Sequence, residues 1–349
     1  MAEQAWHYKP EITTLLREFH ENYARQPTKE IDEAKQRHTL YTDQVARELR
    51  AQGKCSRIEY TGSSYEGVKV SNDIEFDIMV IQTAGSRQLT PIPASSPGFY
   101  KLKLADGESA TDEFKDIIDG NRCLSPVKSV DSFFGTLQKI IDKHSDVFRD
   151  VKLIRHGPAV EMDVSRGNDA PWYSVDVVLA YEVELGARKR VFVAKQPTTI
   201  HGKTPQEKDT WRLSFSLEEK ALFDGMDSDK GCRRHVLRIL KVLRNGEVGL
   251  KKLTSYHLKT ALFYEMKEGR NWNQSELGPR LIGVLRRLYR AMAQGRQPHY
   301  FVPQINLLDG IAPKTIENMK CRMERVSNLY LEDCLNQKHA ACDVIELNN

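Results

Sequence analysis

Two hydrophobic segments that carry acidic residues constrain this chain most. Residues 74–81 read Ile-Glu-Phe-Asp-Ile-Met-Val-Ile, and residues 173–179 read Tyr-Ser-Val-Asp-Val-Val-Leu. Both have the apolar, β-branched content that is typical of buried strands. Side chains two apart on a strand share a face, so Glu75 and Asp77 point to the same side. Together with Asp176, they predict three carboxylates in largely apolar surroundings.

Carboxylates that converge in a buried place need compensating charge. An unpaired buried carboxylate costs several kcal/mol in practice, and a pair of Mg²⁺ ions, with Mn²⁺ as a possible substitute, would supply the compensation. Two-metal sites carry out in-line phosphoryl displacements by stabilising the attacking and the leaving oxygen. We therefore predict that Glu75, Asp77 and Asp176 are catalytic residues and metal ligands.

A Gly-Ser turn precedes the first acidic segment. The backbone amides of Gly62 and Ser63 can form a nest that cradles phosphates. Each feature also has an ordinary interpretation: a Gly-Ser pair is commonly only a turn, a Glu-x-Asp pair only a solvated face, and Asp176 could pair with an arginine. The combination of turn, Glu-x-Asp strand and later Asp strand is typical of polymerase-β-type nucleotidyltransferases.

Four segments, in order, carry a closer resemblance. Residues 61–79, 211–216, 253–261 and 300–307 resemble the animal cyclic GMP–AMP synthase-like receptors of the Mab-21 nucleotidyltransferase family, in the invertebrate form that lacks a zinc thumb. The resemblance covers the chain from about residue 55 to 310. It implies an α+β, bilobal, polymerase-β-like core with a long spine helix, followed by a helical lobe. We expect the core and spine in residues 1–200 and the helical lobe in residues 201–349.

Nucleotide contacts are implied by the same resemblance. In 211–216 the apolar and polar residues alternate as in a half-exposed strand, and an arginine fork there can read a purine edge. Ser255 could be only a helix cap, Tyr256 a core aromatic and Lys241 a solvated lysine. The residues expected to bind nucleotide are Gly62, Ser63, Arg212, Ser214, Ser216, Glu219, Lys241, Ser255 and Tyr256.

A basic amphipathic helix is predicted over 233–244. Arg234 and Arg238 are four residues apart, share a face and are expected to point to solvent. Such a stripe is often only solvated, but it coincides with the ligand-binding helix of the family. The residues expected to bind nucleic acid are Lys220, Arg233, Arg234 and Arg238, with further basic residues on the spine at Lys29, Lys35, Arg47 and Arg50. The absence of a zinc thumb favours double-stranded RNA, read by shape, and double-stranded DNA stays open.

The cysteines and the net charge limit which metal sites and partners are expected. The six cysteines form no Cys-x-x-Cys pair, which favours reduced thiols, and Cys232 with His235 cannot supply the four ligands of a zinc thumb. We expect no zinc. The net charge of +4 among 349 residues argues only weakly for a polyanionic partner. The sequence shows no run of 18 apolar residues and no signal-peptide core, so we expect a cytoplasmic protein that does not bind membranes.

Periodicity predicts the elements. Helices are expected over 11–25, 29–52, 132–144, 233–244, 255–267, 277–293 and 313–335. Strands are expected over 56–60, 74–82, 99–102, 160–164, 172–184, 191–194 and 211–216. The segment 83–96, rich in Ser, Pro and Gly, is expected to be a mobile surface loop.

The leading functional hypothesis is a sensor that makes a cyclic dinucleotide from ATP and GTP when double-stranded RNA binds, with a possible ligand-induced dimer. A DNA-activated synthase is one alternative, and a catalytically silent Mab-21-type scaffold is another. A third is a maker of linear oligonucleotides. The intact set of acids argues against the scaffold, and the Ser255-Tyr256 segment favours the cyclic product.

Overall fold

The computed structural model describes residues 11–24, 28–70, 73–83, 88–110, 114–167, 170–194, 209–226 and 228–328. Within them, helices and a mixed sheet form the expected α+β arrangement. The helices are α1 (Glu11–Phe19), α2 (Thr28–Ala51), α3 (Gly62–Tyr65), α4 (Pro126–Lys143), α5 (Ser216–Gly225), α6 (Arg233–Gly246), α7 (Ser255–Met266), α8 (Leu277–Ala293) and α9 (Pro313–Asn328). A π-helical turn, His20–Ala24, follows α1. Among the described helices, none combines the length and the apolar composition that a bilayer crossing requires.

The strands build one mixed sheet. They are β1 (Arg57–Thr61), β2 (Ile74–Thr83), β3 (Leu89–Pro93), β4 (Phe99–Leu104), β5 (Val151–His156), β6 (Ala159–Arg166), β7 (Ala170–Leu185), β8 (Arg188–Val193) and β9 (Trp211–Ser214). The main order is β1-β2-β7-β8-β9-β4-β3, and β5 joins the sheet through β6. The parallel pair β2–β7 therefore lies inside the sheet, where apolar, β-branched runs are expected.

The long strand β7 organises this sheet. Strand β2 runs along one of its edges, and the other edge is shared by β6 near the start of β7 and by β8 near its end. Asp77 of β2 lies directly across from Asp176 of β7 in the parallel register. The two segments that dominated the sequence are thus hydrogen-bonded neighbours.

Two separate hydrophobic cores correspond to the two expected lobes. The first lies between the sheet, α2 and α4, and it includes Phe76, Leu137 and Trp211. The second lies among α5–α9, and it includes Leu240, Leu262 and Leu285. Helix α1 belongs to this second core, because Leu16 and Phe19 and their neighbour Ile12 pack there rather than against the sheet.

The spine helix and the helices of the second lobe are confirmed, with ends within two residues of the expected ones where the structure describes them. Helix α4 begins six residues before the expected 132, because Ser125 caps it and Pro126 occupies its first position, where a missing N–H costs nothing. The last expected helical residues, 329–335, lie outside the described residues.

The sequence analysis missed strands β3 and β5, and its expectation of a surface loop over 83–96 was wrong. The segment 83–96 contains β3, which pairs with β4 and buries Leu89. Pro91 and Pro93 hid this strand, but prolines are tolerated on an edge strand such as β3. Strand β5 was also missed, since its residues are mostly exposed and it pairs only with β6 in the described sheet.

Candidate active site

The three predicted acids converge at the centre of the sheet. Glu75 and Asp77 leave one face of β2, and Asp176 leaves the adjacent position of β7. Carboxylate oxygens of all three residues lie within 4.8 Å of one another, and each side chain is half-buried. The spacing brings three negative charges into one small volume that is open on one side.

The pKa values of two acids report this crowding. Burial, reinforced by Glu75 and Asp176, raises the pKa of Asp77 to about 7. Burial, Glu75 and Glu161 also raise the pKa of Asp176. Both shifts have the sign expected for carboxylates that are desolvated and repel each other. The site therefore favours any cation that can neutralise it.

Lys69 is a member of the site that the sequence analysis missed. Its ammonium group lies 2.8 Å from Glu75 Oε2, and the lysine side chain is only 9% exposed. It neutralises one acid and leaves Asp77 and Asp176 without a comparable partner among the described residues. Its position in the motif, eight residues before Asp77, carried no periodic signal by which it could have been found.

The Gly-Ser turn closes over the acids. Gly62 has φ = +78°, and a Cβ at this position would overlap the carboxylate of Asp77. Glycine is therefore required here both by conformation and by space. The Ser64 hydroxyl donates to the carbonyl of Glu75 at 2.5 Å, and the carbonyl of Ser63 accepts from the Val68 amide. These bonds hold the turn against the acid-bearing end of β2.

A second group of charges lies deep between the lobes, and it too was only partly foreseen. Lys259 of α7 donates to Glu66 Oε1 at 2.7 Å and to Glu219 Oε2 at 3.1 Å. All three side chains are nearly enclosed. Glu219 and Lys241 were expected to meet nucleotide; instead, Lys241 is buried and donates to the carbonyl of Val68 at 2.7 Å.

The pKa of Lys241 shows how far it is from solvent. Burial, with repulsion by Lys259, lowers this pKa to about 7. Its present contact is with backbone, so its contribution to nucleotide binding stays a prediction. What the structure adds is that Lys241, Lys259 and Glu66 connect the helical lobe with the segment immediately after the Gly-Ser turn.

The expected base-reading strand is shorter than predicted. Strand β9 ends at Ser214, and Ser216 is the first residue of α5 rather than part of the strand. The Ser214 hydroxyl donates to Ser216 Oγ at 3.2 Å, so the two serines still lie together. Arg212 lies between β8 and β4 in the register. Its guanidinium is close enough to Tyr256 and Glu219 for their charges to act on its pKa, which burial lowers.

Tyr256 and Ser255 occupy the first turn of α7. Thr254, not Ser255, is the N-cap residue of this helix. Tyr256 is half-buried, and its hydroxyl hydrogen-bonds His299 Nε2 at 2.8 Å. The rings of Phe215 and Phe301 stack beside it, with centroids 4.8 Å apart. Phe215, Phe301, His299 and Tyr256 therefore form a group of packed rings near the start of α7.

The expectation that Arg234 and Arg238 point to solvent was wrong. Both are half-buried. Arg234 donates to the carbonyl of Phe223 at 2.8 Å, and Arg238 donates to the carbonyl of Gly67 at 2.9 Å. Their shared face is turned toward the lobe junction, because α6 packs its polar side there. A helical wheel cannot distinguish a solvated basic face from one whose side chains donate hydrogen bonds to backbone carbonyl groups.

The other expected nucleic-acid contacts differ in exposure. Lys220 is about one-third exposed and lies 4.0 Å from Glu59. Arg233 pairs with Asp229 at 2.6 Å and lies over the ring of Trp272. On the spine, Lys29, Arg47 and Arg50 are exposed, whereas Lys35 is half-buried. Of all these basic residues, the spine ones are the most accessible.

His235 lies in a polar contact that the cysteine analysis did not anticipate. The His20 and His235 rings meet edge to face with centroids 4.1 Å apart, and Arg238 donates to His20 Nε2 at 3.2 Å. Arg238 is thus bonded both to the π-helical turn that follows α1 and to the segment after the Gly-Ser turn. Cys232 is buried in the second core with a free thiol. Cys334 and Cys342 lie outside the described residues.

The three acids fit a magnesium site by their donor chemistry. Mg²⁺ prefers carboxylate oxygen ligands, keeps several waters and binds through a few carboxylates plus substrate phosphates. Glu75, Asp77 and Asp176 offer that donor set, and burial together with repulsion among the acids raises the pKa of Asp77 and of Asp176. The two strands and the turn therefore define an acidic, cation-demanding centre of the kind used for nucleotidyl transfer.

Two models of known protein families match consecutive parts of this chain. Residues 64–225 match the Mab-21 protein nucleotidyltransferase domain, and residues 232–325 match the Mab-21 protein HhH/H2TH-like domain. The chain belongs to the Mab-21 nucleotidyltransferase family.

One relative sharpens the placement. The chain is 31% identical over 288 residues to Cyclic GMP-AMP synthase-like receptor 3 of Stylophora pistillata, covering 78% of this chain and 81% of that protein. The resemblance stated on four short segments is therefore confirmed over most of the chain.

Proposed function

We propose that this protein is a cytoplasmic sensor that binds double-stranded RNA and then joins ATP and GTP into a cyclic dinucleotide. The observation that carries the chemistry is the convergence of Glu75, Asp77 and Asp176 beneath the Gly62 turn. The kinship with a cyclic GMP–AMP synthase-like receptor supports the cyclic product.

The proposed reaction is an in-line displacement. A sugar hydroxyl of one nucleotide attacks the α-phosphorus of the other, the bond to the β-phosphate oxygen breaks, and pyrophosphate leaves. A second displacement of the same kind, within the linear dinucleotide, closes the ring and releases a second pyrophosphate. Glu75 and Asp77 would hold the ion that accompanies the triphosphate, and Asp176 would receive the hydroxyl proton on its carboxylate. When bound, Mg²⁺ supplies charge neutralisation for the phosphates and acidifies the attacking hydroxyl. The amides at Gly62 and Ser63 would orient the phosphates.

The RNA part of the proposal rests on exposed basic residues of the spine helix rather than on Arg234 and Arg238, which donate to backbone carbonyl groups. The accessible basic residues are Lys29, Arg47 and Arg50 on the spine, with Lys220 near the junction. Such residues bind phosphate backbones without reading sequence. We propose this surface as the site of first contact with RNA. Arg234 and Arg238 would contribute only by leaving their present carbonyl partners.

The test is a product assay. Purified protein is incubated with all four nucleoside triphosphates and Mg²⁺, together with duplex RNA, duplex DNA or neither, and products are identified by mass spectrometry. We expect a cyclic dinucleotide containing one guanosine and one adenosine, with the largest yield in the RNA arm. A larger yield with DNA would transfer the activator role to DNA. A linear product would remove the cyclisation step, and the absence of any product in all arms would overturn the enzymatic proposal.

A further inference from the structure

The helical lobe contains a cavity of about 440 Å³ that is lined by none of the residues expected to form a site. Its walls come from the second half of α7, from α8 and from the loops that follow these two helices. Sites for small molecules commonly have volumes of about 300–1,000 Å³. The cavity is therefore large enough to take a small ligand.

The lining of this cavity is strongly basic. Its described residues include five arginines but only two carboxylates. The arginines are Arg270, Arg286, Arg287, Arg290 and Arg296, and the carboxylates are Glu265 and Glu268. When all of these groups are ionised, the lining has an excess of three positive charges. Charges of one sign that are gathered in a concave place attract a ligand of the opposite sign.

A buried glutamate fixes the position of one of these arginines. The Glu265 side chain is only 4% exposed, and Arg287 donates to its Oε2 atom from Nε at 3.3 Å and from Nη2 at 3.2 Å. The same Nη2 donates to Glu268 Oε1 at 2.7 Å. Glycine at position 283 of α8 makes room for this arrangement, because a Cβ there would overlap the carboxylate of Glu265. The guanidinium of Arg287 is thus held in place by the fold itself.

Three of the arginines keep donors that no described residue accepts. Arg287 uses Nε and Nη2 but not Nη1. Arg296 donates from Nη2 alone, to the carbonyl of Pro303 at 3.1 Å. Arg270 is exposed, and its Nε lies 3.9 Å from Glu265, which is too far for a hydrogen bond. A guanidinium has five N–H donors in a planar fork that matches phosphate oxygens, so these donors suit an anion.

Tyr264 of α7 shows that two of these arginines converge. Burial raises the pKa of the Tyr264 hydroxyl, and the charges of Arg287 and Arg296 act on this pKa in the opposite direction. Both guanidinium groups therefore lie near the same hydroxyl, one from α8 and the other from the loop after it. The half-buried ring of Tyr264 also gives the cavity an aromatic surface. A phosphorylated ligand with a small organic part would use both the arginines and the ring.

We propose that this cavity binds a small anion that carries two or more phosphate groups, through Arg270, Arg287 and Arg296. The site is separate from the proposed reaction, because none of the sheet-side acids lines it. A phosphate monoester carries about −1.5 to −2 charges at pH 7, so two phosphate groups match the excess positive charge of the lining. Bonds between arginine and phosphate are charge-assisted and frequently bidentate. The concave shape favours a small anion over the backbone of a duplex.

The test is a calorimetric titration of the full chain with inorganic tripolyphosphate. A chelator is present throughout, so that binding through Mg²⁺ at the acidic centre does not contribute. The variant is Arg270→Gln with Arg296→Gln, which removes two guanidinium groups from exposed positions and leaves the contact between Arg287 and Glu265 intact. We expect wild type to bind tripolyphosphate at one site. The double variant should bind about a hundredfold more weakly, about tenfold for each lost charged donor.

The matched control is Arg149→Gln with Arg188→Gln, which changes the net charge equally at two exposed positions outside the helical lobe. This control should bind tripolyphosphate as wild type does. An equal loss of affinity in both double variants would mean that the anion responds only to net charge, and it would overturn the proposal. Melting temperatures identify any unfolded variant; if Arg270→Gln with Arg296→Gln is unfolded, Arg296→Gln alone, with an expected tenfold loss, decides.

Two further titrations identify the ligand and the competing occupant. ATP without metal is compared with tripolyphosphate: tighter binding of ATP, lost in the double variant, would support a nucleotide, and tighter binding of tripolyphosphate an inorganic ligand. Duplex RNA is titrated into the same proteins. If wild type binds neither small anion and the double variant loses RNA affinity, these arginines contact nucleic acid and the proposal is overturned.

The outcome for this cavity is independent of the outcome for the proposed reaction. A protein that binds tripolyphosphate through Arg270 and Arg296 but makes no dinucleotide would refute the reaction and retain the anion site. A protein that makes the dinucleotide but binds neither tripolyphosphate nor ATP in the presence of the chelator would refute the anion site alone.

Discussion

Two groups of buried charge lie on either side of the Gly62 turn, and they are built in opposite ways. On the sheet side, Glu75, Asp77 and Asp176 gather three carboxylates, and Lys69 pairs with one of them. On the side of the helical lobe, Lys259 bonds both Glu66 and Glu219. The first group has an excess of two negative charges when its groups are ionised, and burial raises the pKa of Asp77 and of Asp176. The second group has an excess of one negative charge, and burial raises the pKa of Glu219 there as well.

The difference between the two groups distinguishes a cluster that is arranged to bind a ligand from a cluster that stabilises the fold. An acid cluster that the protein leaves uncompensated, at a half-exposed position, is arranged for a ligand that carries positive charge. A cluster whose cation bonds both of its acids and that is nearly enclosed joins two parts of the fold. Here the supporting cluster includes Glu66, four residues after Gly62, so the lobe junction also holds the Gly62 turn in place.

The largest effect should come from the sheet-side acids. Glu75→Gln with Asp77→Asn should lower product formation by about a thousandfold or more, since the metal stabilises the transition state by several kcal/mol. The melting temperature should stay equal or rise, because repulsion among the acids is relieved. Initial rates and thermal melts check both. Retained activity in this double variant would refute the assignment of the metal site.

The opposite result is expected in the helical-lobe cluster. Lys259→Met should lower the free energy of unfolding by about 3–5 kcal/mol, because two carboxylates are left buried without their cation. Denaturant titration measures the loss. The triple variant Lys259→Met, Glu66→Gln, Glu219→Gln should recover a substantial part of it, since no charge is then stranded. A Lys259→Met protein as stable as wild type would mean that this cluster contributes no net support.

Metal and pH should both change the stability of the protein through the sheet-side carboxylates. Without metal, stability should fall as pH rises from about 4 to 7, because folded Asp77 still binds a proton that the unfolded chain has released. At one hundred times its dissociation constant, Mg²⁺ should add about 2.7 kcal/mol at pH 8. The gain should be smaller at pH 5.5, where protons compete with the metal. Thermal melts at both pH values check this, and an equal gain at both would contradict the raised pKa.

The smallest effect concerns the basic helix. Arg238→Ala should lower stability by about 1–2 kcal/mol, because the carbonyl of Gly67 loses a charged donor. The matched control, Arg50→Ala on the exposed face of α2, should change stability by no more than about 0.5 kcal/mol. In an RNA-binding titration we expect the reverse ranking, with Arg50→Ala the weaker binder. If Arg238→Ala lost more RNA affinity than Arg50→Ala did, the interpretation of α6 as a solvent-facing basic helix would be favoured again.

The sequence predicted the acid site well because local rules determine it. Alternation on β2 fixes that Glu75 and Asp77 share a face, and the apolar run around Asp176 fixes that β7 is an interior strand. The pairing of Asp77 with Asp176 needed the tertiary register, because a slip of one residue would place Asp176 on the opposite face of the sheet. The roles proposed for these residues stay predictions.

The junction was predicted poorly because its residues have no local signature. Lys259 occupies an ordinary helical position, and Glu66 follows a turn where a solvated acid would be unremarkable. Their contact spans 193 positions of the chain. The same limit explains Arg234 and Arg238, since a carbonyl partner leaves no trace in the pattern of side chains.

Helix α1 makes the second lobe a discontinuous domain. It comes first in the chain, yet Leu16 and Phe19 are part of the core formed by α5–α9, while α2, which begins at Thr28, packs on the sheet. A fragment that begins at α5 would therefore expose the groove that α1 fills and would be expected to aggregate. Fusing residues 11–24 to the end of such a fragment would rebuild the lobe as a continuous chain. The chain thus leaves the second lobe after α1 and returns to it at α5, so separating the two lobes requires a permuted order of the chain rather than a single cut.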